Sequence, residues 1–146
     1  MIAAISSKRK GICHRISDES TTAHRFKLFC HNLVAWLGDF DKVVLVMDNL
    51  SLHKNHETLE YLYKKNITVI FTPVASSILN PVEHFFAIMK RAWSQQIQSF
   101  SEAQLKRMNI IEEMKEFLKR FDKIDGPTIS TSFLKEAKKI IDAPKK

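Results

Sequence analysis

Two short apolar runs constrain this chain more than anything else in it: Val43-Val44-Leu45-Val46-Met47 and Ile67-Thr68-Val69-Ile70-Phe71. Neither shows the regular polar alternation of a strand with one wet face. Both are therefore expected to be covered on two sides, as in the interior of a layered α/β sheet. Between them, Glu57 to Lys65 reads as a short helix carrying Leu59, Leu62 and Tyr63. A strand–helix–strand order of this length predicts two neighbouring parallel strands. The first run ends on Asp48, and Asn49, Ser51 and His53 follow. Ligands of open α/β sheets sit beyond the carboxyl ends of the strands, so Asp48 is the first candidate for chemistry.

The remaining elements can be placed around these two strands. Ile2 to Ser6 and Gly11 to Ile16 read as a hairpin. Ser17 to Thr22 is rich in residues that cap helices. A helix is expected from about Ala23 to Leu37, with Phe26, Phe29, Leu33 and Leu37 on one face and Gly38 as its stop. Thr72-Pro73 ends the second strand, and Ala75 to Leu79 reads as a loop. Asn80 as cap and Pro81 in the first turn open a helix running to about Ile97. Ser101 with Gln104 matches a capping box. One helix is expected to continue from there through Leu105, Met108, Ile111, Met114, Leu118 and Phe121, until Asp125-Gly126-Pro127 breaks it. A last short helix, about Ser132 to Ile141, precedes a basic tail. The fold class is α/β: a small mixed sheet flanked by helices over residues 1–97, with a helical C-terminal extension over residues 98–146.

Composition narrows the function classes. A chain of 146 residues with 45% hydrophobic content suits about one globular domain. Its net charge is +7, and the excess is uneven. Residues 1–89 hold ten basic and eight acidic side chains, residues 90–146 thirteen and eight. A polyanion such as nucleic acid suits that basic part, but so modest a charge is more simply explained by a solvated lysine-rich helical surface. Cys13 and Cys30 are too few and too far apart for a zinc cluster or a disulfide framework, and read as small buried apolar residues. No apolar run approaches the roughly 20 residues that span a bilayer. In the N-terminal stretch the apolar residues precede the basic ones, the reverse of a signal peptide. An intracellular, reducing location is expected, compatible with the nucleus.

Glu83 is the second carboxylate of interest. It lies in the first turn of its helix, where the positive end of the helix dipole stabilises a negative charge, and that alone accounts for many glutamates. Parallel neighbouring strands would give it a second use, by bringing Asp48 and Glu83 out at one end of the sheet. Mg²⁺ takes one or two carboxylates and fills its shell with water and phosphate oxygens. Two such ions can clamp the attacking and leaving oxygens of a phosphoryl displacement.

MDNLSLHK, from Met47 to Lys54, and PVASSILNPVEHFFAIMK, from Pro73 to Lys90, leave 34 residues between Asp48 and Glu83. With these motifs and this spacing, the chain resembles the catalytic domain of the mariner-type DDE transposases, which have a ribonuclease-H-like fold. The resemblance rests on Asp-Asn with a histidine five after the aspartate, on Asn-Pro-x-Glu, and on a lysine seven after the glutamate. It covers roughly residues 1–97. It implies a triad of two aspartates and a glutamate holding two Mg²⁺ or Mn²⁺ ions. These activate water, and then a DNA 3′-hydroxyl, for phosphodiester cleavage and strand transfer. Asp48 would be the second aspartate and Glu83 the glutamate. Asn49 and His53 would line the site, Asn80 would cap the helix and place Glu83, and Lys90 would contact DNA phosphate. Phe86 stands where the family often has tryptophan and reads as core packing.

The departures from that pattern matter as much. The family's first aspartate sits on a strand preceding the hairpin, and Met1 corresponds to a point inside the second strand. The first strand, its aspartate and the preceding DNA-binding helix-turn-helix region are thus expected to be missing. Asp18 is no substitute. Only 29 residues separate it from Asp48, filled by one helix, and capping explains it better. The absent strand is central in the family, so two sheet edges are expected to lie open. Three states fit: a degenerate transposon remnant, a longer protein whose start is mis-assigned, or a sheet completed by a partner chain or a second copy. The reading is a DDE endonuclease fragment, inactive alone. The alternative is a domesticated, non-catalytic nucleic-acid-binding or scaffold module. A small hydrolase of unrelated fold using Asp48 and His53 is a third class.

Overall fold

The computed structural model describes residues 1–74 and 80–142; the expected loop at 75–79 and the end of the basic tail lie outside the described residues. β1 (Ile2–Ile5) and β2 (Ile12–Arg15) form the expected hairpin, antiparallel with Ala4 opposite Cys13 and Ile5 opposite Ile12. α1 (Ala23–Leu37) follows, then β3 (Val43–Met47), a 3-10 turn at Ser51–Lys54, α2 (His56–Lys64) and β4 (Ile67–Phe71). β3 and β4 pair in parallel, Val43 with Ile67 through Met47 with Phe71. This agrees with the reading of the two apolar runs.

Local chemistry sets the helix ends. Thr22, not Asp18, caps α1: its hydroxyl accepts from the Arg25 amide at 3.3 Å, whereas Asp18 is exposed four residues earlier. Gly38 ends α1 at φ +72°, where a side chain would be strained. Asn66, at φ +56°, follows α2 and lets the chain turn directly into β4.

The hairpin is the middle layer. Ile2, Ala4 and Cys13 face a core built with Phe26, Phe29, Cys30 and Leu33 of α1, Met47, Leu62 and Ile67. Ala3, Ile5 and Ile12 face the other way, into a second core with Phe85, Met89, Phe117 and Leu118. Both cysteines are buried and unpaired, as expected. Burial pushes the Cys13 thiol up to about 11; burial and the neighbouring Cys13 push Cys30 up to about 12. Phe86 packs against the second core, which bears out its reading as a packing residue.

Several expectations need correction. The small mixed sheet is two separate two-stranded sheets, β1–β2 and β3–β4. β3 and β4 are covered on one face only: Val44, Val46 and Ile70 are 59%, 40% and 50% exposed. The reason is that α1 and α2 cover the other face while the helix carrying Glu83 packs on the hairpin instead. On α2, Tyr63 is 80% exposed, while Tyr61 packs against the first core and stacks on His31 at 3.9 Å.

The C-terminal helices differ most. α3 (Val82–Gln98) and the capping box opening α4 (Glu102–Arg107) are as expected. The long helix then breaks at Met108, and Asn109 starts α5 (Ile110–Leu118) by accepting from the amides of Ile111 and Glu112. An asparagine side chain competes with helix continuation in this way, which apolar spacing does not register. α6 (Gly126–Asp142) begins at the Asp125-Gly126-Pro127 break itself, not at Ser132. Asp125 accepts from the Thr128 amide at 3.1 Å and Pro127 sits in the first turn. Hydrogen bonds to Thr128 hold the Asp125 carboxyl below its ordinary range. Among the described residues no helix is long and apolar enough to cross a membrane.

Candidate functional site

The site is built outward from the end of β3. The parallel ladder continues one step past the strand, as the Thr72 amide donates to the Met47 carbonyl at 2.8 Å. This pins the carboxyl end of β3 beside that of β4, and Asp48 is the next residue. The chain then folds back through the 3-10 turn, where the His53 amide donates to the Leu50 carbonyl at 3.1 Å. The turn returns the imidazole to the aspartate. His53 Nδ1 lies 2.6 Å from Asp48 Oδ1 and 3.3 Å from the Asp48 carbonyl oxygen. The ring packs on Phe26 of α1, centroids 4.3 Å apart.

Polar residues after the strand lock this turn. Asn55 caps α2, its side-chain oxygen accepting from the Thr58 amide at 3.1 Å and hydroxyl at 3.2 Å. Thr58 is fully buried, so the cap is shielded from competing water. Lys54 places its ammonium over the Phe71 ring, 5.8 Å from the centroid. Asn49 is half-buried, and its side-chain oxygen is shielded from water without a hydrogen-bond partner. Such an oxygen is an unused donor for a cation.

α3 carries the other candidates. Asn80 is 9% exposed. Its carbonyl accepts from the Glu83 amide at 3.0 Å, and its side-chain oxygen from the Val82 amide at 3.4 Å. Asn80 braces the helix start, but the cap position falls on Pro81 rather than, as expected, on Asn80. Glu83 is exposed in the first turn. Lys90, two turns on, is exposed as well, while Phe85 and Met89 are buried on the opposite side of the helix.

The sequence-derived residues thus fall into two groups. Asp48, Asn49 and His53 stand together at the end of β3; Asn80, Glu83 and Lys90 lie on α3. Among the described residues, no three His, Cys, Asp or Glu side chains are gathered closely enough to hold a metal. At the end of β3, Asp48 and Asn49 each hold a buried side-chain oxygen without a hydrogen-bond partner, donors of the type a hard cation takes, while Glu83 belongs to the other group. Sequence reasoning missed Phe26 as the platform for His53, Lys54 over Phe71, and the Asn55 cap. Asn55 with a threonine three residues on was a legible signal; the two ring contacts had none.

No curated protein and no solved structure gave a significant match to the chain. A protein-family profile described as DDE superfamily endonuclease matches residues 1–106, from β1 through α3 and into α4. That span takes in both motifs and the hairpin, so the two carboxylates, the turn between Asp48 and His53 and the helix start at Asn80 all fall within it. On that match, the chain belongs to the DDE superfamily endonuclease family.

Proposed function

We propose that this chain is catalytic-domain material of a mariner-type DNA transposase, with Asp48 and Glu83 as two of the carboxylates that hold its divalent ions. The observation that supports it is the parallel β3–β4 pair. Asp48 lies at the carboxyl end of one strand, and the connection toward Glu83 leaves from the carboxyl end of the other. The family chemistry is cleavage of DNA phosphodiesters and strand transfer, with Mg²⁺ or Mn²⁺ supplying positive charge for the attacking and leaving oxygens. Asn49 would add a neutral oxygen. Lys90 would offset phosphate charge, since phosphate contacts by lysine dominate DNA affinity. Residues 1–97 form the catalytic unit in this reading, and 98–146 its helical extension, acting on DNA inside the cell.

Two carboxylates are one fewer than the family triad. Nicking of supercoiled DNA by the purified chain in Mg²⁺ or Mn²⁺ is therefore expected to stay at background, because the ions carry most of the transition-state stabilisation. Robust nicking that disappears in Asp48→Ala would overturn this inactivity and leave the site assignment standing. The second reading, a non-catalytic DNA-binding module, draws on the net charge of +7. It is favoured by salt-sensitive DNA binding that is indifferent to both metal and Asp48→Ala.

Among the described residues each strand of the two sheets pairs on one side only, and a strand from a second copy would pair with one of these edges. The purified chain is then expected to self-associate in light scattering, and Val44→Lys, on the exposed apolar face, to weaken that association. A chain that remains monomeric at high concentration counts against it.

A further inference from the structure

We infer that the outer face of α3 is a seat for duplex DNA, with Arg91, Gln95 and Gln98 as contacts beyond Lys90. The inference rests on the reading of DNA as the partner and deepens it, without calling on a metal.

The inner side of α3, with Phe85, Met89 and Trp93, packs into the second core. The outer side carries Glu83, Lys90, Arg91, Ser94, Gln95 and Gln98, all exposed. At 3.6 residues per turn these side chains fall within an arc of about 140°. They form one continuous stripe, with Glu83 at its start. No acidic residue occurs between Glu83 and Glu102. Beyond Glu83 the stripe is therefore cationic and neutral-polar only.

Its two cations are uncompensated. Lys27, Lys64, Lys106, Lys115 and Lys119 each bind a glutamate. Arg9, Lys54 and Arg120 lie over aromatic rings. Lys90 and Arg91 have neither kind of partner among the described residues. Glu102, Glu112 and Glu116 of the helices that follow are held by lysines of their own segments, so they do not neutralise the stripe.

Two free cations beside a serine and glutamines match a phosphate–sugar backbone. Cations supply its salt-dependent attraction, and neutral donors to its oxygens fix register. A protein partner would need an apolar centre, but Ile88, the large apolar side chain exposed on α3, lies at the edge of the stripe. From Glu83 to Gln98 the helix runs about 22 Å, or about six base pairs of duplex at 3.4 Å each. DNA along it would place one phosphate near Glu83 and its flank on Arg91 and Gln98.

Binding of the full chain to a fluorescein-labelled 20-base-pair duplex, followed by anisotropy in EDTA over a range of salt, tests this apart from any metal site. The double variant Lys90→Gln/Arg91→Gln is expected to flatten the slope of log affinity against log salt by about 2, one unit per lost phosphate contact. Lys106→Gln/Lys115→Gln removes the same net charge elsewhere and should change the slope by less than about 0.5. Lys90→Arg/Arg91→Lys keeps both charges and should keep the slope. Gln95→Ala/Gln98→Ala should weaken binding at least about threefold with the slope unchanged. Equal flattening by the two charge-removing pairs, or full affinity in Gln95→Ala/Gln98→Ala, overturns the seat and leaves DNA as the partner. A wild-type chain that does not bind the duplex at low salt overturns the DNA reading and this seat with it.

Discussion

Phe85→Ala is expected to destabilise the chain by about 3–5 kcal/mol, the usual cost of truncating a fully buried phenylalanine. Phe85 has no exposed surface and sits where the hairpin, α3 and α5 meet. Its ring lies 5.7 Å from those of Phe86 and Phe121, edge-on to the latter. Aromatic pairs of this kind add about 0.5–1.5 kcal/mol beyond burial, so the loss should fall toward the upper end. A domain near the lower end of the ordinary range of about 5–15 kcal/mol would be left partly unfolded. Urea unfolding followed by circular dichroism measures the effect. Phe86→Ala, at a half-buried position, serves as the internal control and should cost distinctly less. A Phe85→Ala loss below about 1 kcal/mol would mean that α3 is not seated on the hairpin as described. The functional consequence is local, because Glu83 lies two residues before Phe85 and moves with whatever anchors that turn.

The second large effect is expected from Gly11→Ala. Gly11 has φ +83°, in the left-handed region, and its amide donates to the Ile124 carbonyl at 2.9 Å. A Cβ built there would lie 2.6 Å from the Asp122 carbonyl oxygen. The obstacle is backbone, so it cannot swing aside as a side chain could. Positive φ in a non-glycine residue costs about 1–3 kcal/mol, and forcing apart a packed contact costs a similar amount. The combined loss is expected to be at least about 2 kcal/mol, again read by denaturation. It should be accompanied by earlier proteolysis between α5 and α6, because the 122–126 segment is what the hairpin turn rests on. Gly126 meets the same turn from the other side: a Cβ there would lie 2.7 Å from the Ser6 carbonyl oxygen. A neutral Gly11→Ala would show that the extension is not docked on the hairpin.

Both results concern contacts between segments more than 30 residues apart, and such contacts separate what was legible in the sequence from what was not. The strands at 43–47 and 67–71, α1 with its Gly38 stop, and the capping box at Ser101 were all readable. Each depends on the spacing and capping chemistry of a few adjacent residues. The break at Asn109 and the early start of α6 were encoded just as locally, in Asn109 and in Asp125 with Thr128. They were outweighed by an apolar period that ran straight through them.

The candidate site divides in the same way. Asp48 and Glu83 stood out from motif spacing, and the Asn80 helix start from residue type. The link between Asp48 and His53 required the 3-10 turn and the Phe26 ring, which lies 27 residues earlier in the chain.

By itself, then, the sequence determined which segments are helix or strand, where Asp48 and Glu83 fall on them, and the parallel direction of β3 and β4. Only the tertiary structure decided which strand faces are covered, that the four described strands form two sheets, and that α5 closes the second core. The physical reason is that local backbone preference acts over a turn or two. Whether Val44 meets water or a helix depends on where a distant element comes to rest.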